Sequence, residues 1–326
     1  MTRASRFGVL LAVVLGLIGA DTGLAIAQEY PSRPIQLIVP FAPGGGSDII
    51  ARIISPHLGK LLGQPVVIDN RPGAGATIGA NVVAKAAPDG YTLLYVTPGV
   101  QLTNPYLMKK LPYDPVSDFA PILPLVVVPN VLVVHPSVPV KSVKDLIELA
   151  RAKPGTLNFS SSGIGSSSHL SGELFKQMTA TRMTHIAYKG TGASLQDLLT
   201  GNVQLAFESL NVMLPHIKAG ALRAIAVTTP ERSPVLPDLP PIADTLPGFD
   251  AAAFNYVSAR AGTPRPVIER LNRELNAVLK IPEVRDRFLS LGVTSIGGTP
   301  EDLDARIKRE SLKWKRVIEV SGARPE

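Results

Sequence analysis

Through most of the chain, short runs rich in Val, Ile, Leu and aromatic residues alternate with longer stretches whose apolar positions recur every three or four residues. That alternation is the pattern of βαβ units and predicts an α/β fold with parallel strands. The first unit reads as a strand over 35–41, a glycine turn at 44–46 and a helix over 47–62. Ile49, Ile50, Ile53, Ile54, Leu58 and Leu61 fall at helical spacing and are expected to face the sheet. Pro56 lies inside that helix and predicts a kink, because it cannot donate to the Arg52 carbonyl. Strands over 65–69 and 91–97, with a helix between them starting near Gly75, complete one doubly wound half.

After a proline-punctuated stretch over 111–129 a second series begins. It reads as strands over 130–135, 157–161, 184–188, 203–207 and 222–228, interleaved with helices over 142–152, 167–178 and 191–199. A second proline-rich segment covers 230–247, and the remainder reads as helices over 264–279, 282–291 and 300–320. Two series with two extended connections predict two lobes joined by a double crossover. The expected division is 28–126 with 229–326 as a discontinuous first lobe and 127–228 as the second, the C-terminal helices returning to the first.

The N-terminus changes where such a protein is expected to work. Arg3 and Arg6 precede an apolar run over 7–20 and the triplet Ala25-Ile26-Ala27, the layout of a secretion signal over 1–27 cleaved after Ala27. The run is shorter than the roughly 20 apolar residues a spanning helix needs, so a soluble periplasmic protein is expected. The chain has no cysteine, which removes a lipidated N-terminus, disulfides, thiol catalysis and Cys-ligated zinc. The formal charge of +7 falls by one when Arg3, Arg6 and Asp21 are removed, and the remaining basic residues are scattered. Their densest group, 306–316, is interleaved with Glu310 on an amphipathic helix, so nucleic acid is not expected as a partner.

Candidate chemistry sits where strands feed helices. Pro40-Phe41-Ala42-Pro43-Gly44-Gly45-Gly46-Ser47-Asp48 is one such junction: its glycines let backbone N–H groups turn inward, and Ser47 is placed to cap the helix. It reads either as an anion- or water-binding loop or as a tight turn with an ordinary cap. No Lys-Ser or Lys-Thr follows the glycines, which excludes a Walker loop. Gly73-Ala74-Gly75-Ala76-Thr77-Ile78-Gly79 misses a dinucleotide fingerprint by one residue, since Ile78 stands where the third glycine belongs.

Residues 160–169, Ser-Ser-Ser-Gly-Ile-Gly-Ser-Ser-Ser-His, offer hydroxyls and N–H groups at a helix start, a setting suited to a carboxylate. A helix N-terminus contributes about 0.3–2 kcal/mol toward an anion and each charge-assisted hydrogen bond about 1.5–3, so a few reach micromolar affinity without an arginine. The esterase frame G-x-S-x-G fails because Ile49 follows where glycine is required, and His169 is too near its own serines to act as their base. His57, His135, His185 and His216 show no metal-ligand spacing. Tyr188-Lys189-Gly190-Thr191-Gly192 is a third junction: Tyr188 is placed to close over a ligand and Thr191 to cap a helix, while Lys189 either adds positive potential or is solvated.

Taken together, these motifs resemble the Bug or TctC-like family, the extracytoplasmic solute receptors of tripartite tricarboxylate transporters. The likeness is carried by the 40–48 loop, Val-Ile-Asp-Asn-Arg-Pro-Gly-Ala-Gly at 67–75, Pro-Asp-Gly-Tyr-Thr-Leu-Leu at 88–94 and Leu-Pro-Tyr-Asp at 111–114. It continues through Ser-Ser-Gly at 161–163, Ala-Tyr-Lys-Gly at 187–190, Leu-Arg-Ala-Ile-Ala-Val-Thr at 222–228 and Ala-Gly-Thr-Pro at 261–264.

The resemblance implies a type II periplasmic-binding-protein (Venus-flytrap) fold, each lobe a mixed sheet flanked by helices. It implies a monomeric receptor without cofactor or metal that closes on a small organic carboxylate and presents it to the membrane subunits of a transporter, or to a sensor protein. Carried over, Phe41, Ala42, Ser47, Asp48 and Thr97 form the first-lobe wall. Ser162, Gly163, Ser166, Ser167, Ser168, Tyr188 and Lys189 form the second-lobe wall. The chain departs from the family at 166–169, where it has Ser-Ser-Ser-His and relatives often have threonine or proline. An Asp48 facing the ligand would repel a second carboxylate or accept an amine. The rival reading from the serines and His169 is a periplasmic serine hydrolase.

Overall fold

The apolar runs of the first half become strands β1 (Ile35–Val39), β2 (Val66–Asn70) and β3 (Thr92–Val96), separated by helices α1 (Gly46–Leu62) and α2 (Thr77–Ala84). The structure, a computed structural model, describes residues 30–321, so the expected signal over 1–27 and its cleavage site lie outside the described residues. From Arg33 on, the chain is one unit. Beyond β3 come a π-helical turn (Gly99–Thr103), α3 (Asn104–Leu107) and β4 (Phe119–Val128). The second series supplies β5 (Asn130–Val134), α4 (Val143–Ala152), β6 (Asn158–Ser161), α5 (Ser167–Thr179), β7 (Thr184–Ala187), α6 (Thr191–Leu199), β8 (Leu205–Ser209), α7 (Leu210–Lys218) and β9 (Arg223–Val227). The chain ends in β10 (Ala253–Arg260), α8 (Arg265–Lys280), α9 (Pro282–Ser290), β11 (Thr294–Ser295) and α10 (Pro300–Ser321).

These strands form two mixed sheets flanked by helices, the two-lobe Venus-flytrap architecture. The first has the order β11-β4-β10-β3-β1-β2 and the second β7-β6-β8-β5-β9. β1 runs parallel to β2 and β3, and β6 parallel to β7 and β8, as the βαβ pattern requires. β10 is antiparallel to both β3 and β4, and β5 to both β8 and β9. The chain changes sheets twice, at Pro129 between β4 and β5 and again between β9 and β10. The two crossing points are tied together: Thr228 N–H donates to the Asn130 carbonyl at 3.0 Å, and Asn130 N–H donates to Thr228 Oγ1 at 3.1 Å.

The residue pattern explains most of this and misses β4, β10 and α7, along with the short α3 and β11. The stretch over 111–129 contains the ten-residue strand β4 despite Pro121 and Pro124. Its pairing with β10 slips once between Asn255 and Tyr256 and once between Val257 and Ser258, beside those prolines. Bulges are where a sheet tolerates a residue without an N–H. β10 lacks alternation because it is a central strand, buried on both faces from Phe254 through Ala259. α7 carries Pro215 and was hidden between two strands.

On α1, Ile50, Ile54, Leu58 and Leu62 supply the buried face, whereas Leu61 is 37% exposed, a correction of one position at the helix end. Ile49 does not face the first sheet's core; it packs on a cluster that joins Val131 of β5 to Leu210 and Met213 of α7. The helix continues through Pro56 to Leu62, with Pro56 on its exposed side. α10 packs on β4 and on the 99–103 turn, and it also reaches α5 beside the second sheet, so it spans both lobes.

Candidate ligand-binding site

At the end of β1 the chain turns through 40–45 and enters α1 with Gly45 as N-cap. Ser47 therefore lies inside the first turn instead of capping it, and no side chain caps this helix. The loop is held from behind. Asp48, 2% exposed, accepts from Gly44 N–H at 2.9 Å, Arg52 Nε at 2.8 Å and Asn70 Nδ2 at 3.0 Å. Asn70 Nδ2 also donates to the Phe41 carbonyl. Burial alone would raise the Asp48 pKa, but those hydrogen bonds and the Arg52 charge outweigh it and hold the carboxyl below its usual range. Asp48 thus faces Arg52 and Asn70, not the space in front of the loop.

Opposite stands the serine loop between β6 and α5. Ser166 is the N-cap of α5, its Oγ accepting from His169 N–H and donating to the Gly163 carbonyl. Ser168 Oγ, 1% exposed, joins Ser162 N–H, Ser162 Oγ and Ser166 Oγ, each at 2.9 Å. His169 Nδ1 accepts from Gly165 N–H, and its ring stacks on His185 at 4.1 Å. His185 Nε2 in turn meets Ser161 Oγ at 2.6 Å. Burial pushes both imidazoles down, His169 to about 3 and His185 to about 4, with the neighbouring Lys176 acting in the same direction. Both are neutral near pH 7, so the loop rests on an uncharged framework.

Two more helices open on the same space. α6 begins after Gly190 and α7 after Ser209, neither with a side-chain cap. Thr191 Oγ1 donates to Glu208 Oε2 at 2.9 Å, so Gly190, not Thr191, caps α6. The rest of the wall is formed by Thr97, Pro98, Val128, Asn130 and Asn255. Asn130 Nδ2 donates to Ser167 Oγ at 3.1 Å, Asn255 Nδ2 donates to Tyr95 OH at 2.9 Å, and Thr97 Oγ1 is buried with no hydrogen-bond partner.

Together these residues wall a cavity of about 520 Å³ of atom-free space, part of it open to solvent. Four helix N-termini start at its edge, three of them without side-chain caps. None of its lining residues carries a charge. Uncapped N–H groups, each helix end acting as roughly half a positive charge, make such a space attractive to an anion. The lobes touch on both sides of it. Thr103 Oγ1 donates to the Gly165 carbonyl at 2.6 Å, and Asn211 Nδ2 donates to the Gly46 carbonyl at 3.2 Å.

Residues 50–323 match the family model described as "Tripartite tricarboxylate transporter family receptor". The chain belongs to this family, TctC. It is 39% identical to the protein BugT of Bordetella pertussis over 319 residues, 96% of this chain and 98% of BugT. Among solved structures, Rpa4515 of R. palustris, with adipate, superposes with a TM-score of 0.89 at 39% identity, covering 91% of this chain and all of that one. MatC from Rhodopseudomonas palustris, with bound malate, gives 0.84 at 33% identity over 89% of this chain and all of that one. The family consists of solute-binding receptors, not enzymes.

Within this TctC receptor the structure brings Phe41, Ser47, Thr97, Ser162, Ser166 and Ser167 to the cavity wall. Six other expected residues stand elsewhere. Asp48 is turned to Arg52, and Ser168 lies beneath the wall as a hydroxyl hub. Gly163 forms the turn that Ser166 caps, and Ala42 sits beside Gly190. Tyr188 points away, donating to Asp197, and Lys189 is exposed. The wall also contains Gly45, Gly46, Pro98, Val128, Asn130, Thr191, Ser209 and Asn255. Ser209 was recoverable as a fourth strand-to-helix junction, and Asn130 as the residue after Pro129 where the sheets exchange the chain. Asn255 had no signal in the residue pattern.

The serine-hydrolase reading fails on the same geometry. Ser162, Ser166 and Ser167 bond other serines, the Gly163 carbonyl and Asn130. His169 spends Nδ1 on Gly165 N–H and is 5% exposed, while the serine touching His185 is the buried Ser161.

Proposed function

We propose that this receptor captures a small organic carboxylate between its lobes and presents it to the membrane subunits of a tripartite tricarboxylate transporter. The observation that carries the reading is the cavity itself: helix N-termini and hydroxyls converge on it, and no charged side chain lines it. Relatives solved with adipate and malate make dicarboxylates the first ligands to try. Ser47 and the Gly45–Ser47 N–H groups form one wall and Ser162, Ser166 and Ser167 the other, with Asn130 and Thr97 completing the floor. The lobes, 28–126 with 229–326 and 127–228, swing about the paired crossing points at Asn130 and Thr228. Export by the 1–27 signal places the mature chain, a monomer, in the periplasm, where a freely diffusing carrier serves a transporter.

Titration calorimetry against di- and tricarboxylates, aromatic acids and acidic amino acids tests this. Micromolar or tighter binding of at least one non-amino acid carboxylate, without turnover, is expected. Turnover of the bound acid that Ser167→Ala abolishes, or binding confined to cations and neutral solutes, would overturn it.

A further inference from the structure

Behind the cavity wall lies a carboxyl group that ligand capture does not explain. Glu208, the penultimate residue of β8, is fully buried. Oε2 accepts from Thr191 Oγ1 at 2.9 Å and from Ser209 N–H at 3.4 Å, and both donors belong to residues of the cavity wall. Oε1 has no hydrogen-bond partner in bonding geometry. Among the described residues no cation answers it. Of the elements packed on β8, α5 carries His169, Glu173 and Lys176, α6 carries Asp197, and α7 carries His216 and Lys218. β5 and β6 carry no ionisable side chain. Glu173 is paired to Lys176 and Asp197 to Tyr188, and no charged group bears on Glu208.

The hydrogen-bond direction at Thr191 is the point of interest. A hydroxyl has one proton. While Glu208 is ionised, Thr191 spends that proton on Oε2 and offers only lone pairs to the cavity, which repel an anion. A protonated Glu208 donates to Thr191 Oγ1 instead and frees the Thr191 hydroxyl to donate into the cavity.

We propose that Glu208 is the positioning residue that sets the cavity's preference for a carboxylate: on capture it takes up a proton from solvent and turns the Thr191 hydroxyl toward the ligand. In the balance, one proton moves from water to the Glu208 carboxyl, the Thr191–Glu208 hydrogen bond reverses, and Thr191 forms a new bond to the ligand carboxylate. Burial prepares the group for this, pushing its pKa up to about 7 against the opposing pull of Thr191, the Ser209 N–H and the nearby Ser194 and Ser168 hydroxyls. A ligand anion a few ångströms away favours the protonated form further.

This rests on the carboxylate reading, and the experiment separates the two. Calorimetry of the full chain with adipate and with malate, over pH values from about 5.5 to 8.5, brackets Glu208. Repeating each titration in buffers of different ionisation enthalpy counts the protons taken up. Wild type is expected to absorb protons on binding, and its affinity to fall by as much as about tenfold per pH unit above the Glu208 titration. Glu208→Gln, whose amide donates to Thr191 as the acid would, is expected to bind with a flat pH profile, no proton uptake and full affinity at high pH. Thr191→Val is expected to weaken binding and flatten the profile together. Binding without proton uptake in wild type, or a Glu208→Gln profile that tracks wild type, overturns the proposal and leaves the carboxylate reading standing. No binding of any carboxylate at any pH overturns both.

Discussion

The two walls of the cavity do the same job with opposite chemistry. The glycine loop of the first lobe is pinned by charge: buried Asp48 gathers Gly44 N–H, Asn70 and the Arg52 guanidinium behind it. The serine loop of the second lobe is pinned by neutral groups, with Ser162, Ser166 and Ser168 bonded to one another and backed by two uncharged stacked imidazoles. In both, the support sits behind the wall, so the cavity presents N–H groups and hydroxyls and no formal charge. A receptor for anions gains from this arrangement, because a cation in the cavity would bind any anion strongly and release it slowly, whereas oriented dipoles read shape.

The comparison breaks most sharply at Gly165. Its φ is +77°, and a Cβ there would run into Asn104 Oδ1 of the other lobe. Gly165→Val should therefore hold the lobes apart and cost at least about 100-fold in carboxylate affinity, or roughly 2.7 kcal/mol. Near wild-type affinity by calorimetry would show that the serine loop does not need this approach.

On the other wall, Asp48→Ala strips the acceptor from three donors. Because Arg52 is half exposed and can find water, the expected loss of stability is about 2 kcal/mol, read as a shift in the urea midpoint. A change under about 0.5 kcal/mol would mean that the loop holds its shape without its ionic anchor.

The smallest effect sharpens the contrast by separating the walls along the pH axis. His169 and His185 are bases whose folded pKa values lie below the usual 6.5. The unfolded chain thus binds their protons first, and their contribution is complete above pH 6.5 and lost as pH falls toward about 4. Asp48 is an acid with a lowered folded pKa, so its contribution is complete above 3.8 and lost only below that. Glu208 acts in the other sense, its contribution declining as pH rises from 4.5 to about 7, so the measurement belongs in Glu208→Gln. Amide exchange there should accelerate over 162–170 on going from pH 6.5 to about 4 while 41–48 stays protected. Simultaneous loss of protection in both loops would refute the division.

How much of this could be read beforehand follows from the range of the forces involved. The βαβ rhythm, three strand-to-helix loops and the family motifs are local patterns, and they located half of the expected site residues on the cavity wall. What escaped depends on distant partners. β4 looked like a linker because its prolines are tolerated only beside the bulges that β4 forms where it pairs with β10. Ser47 and Thr191 looked like caps by residue type, but Gly45 and Gly190 hold those positions, leaving Ser47 on the cavity wall and the Thr191 hydroxyl bonded to Glu208. Asp48 and Tyr188 looked like ligand groups until Arg52 and Asp197 were seen to hold them from behind. Glu208 was silent, because its meaning lies in the absence of a cation around it.

The place of β10 in the first sheet has a consequence for the order of synthesis. Its neighbours β3 and β4 leave the ribosome well before it, and the bond from Asn255 to Tyr95 spans 160 residues. The second sheet, by contrast, is built from one continuous stretch between Asn130 and Val227. That lobe holds all of its strands while the chain is still growing. The other stays open through its middle, with two strand edges unpaired, until the last third arrives. The sheet that is numbered first is thus the one that closes last.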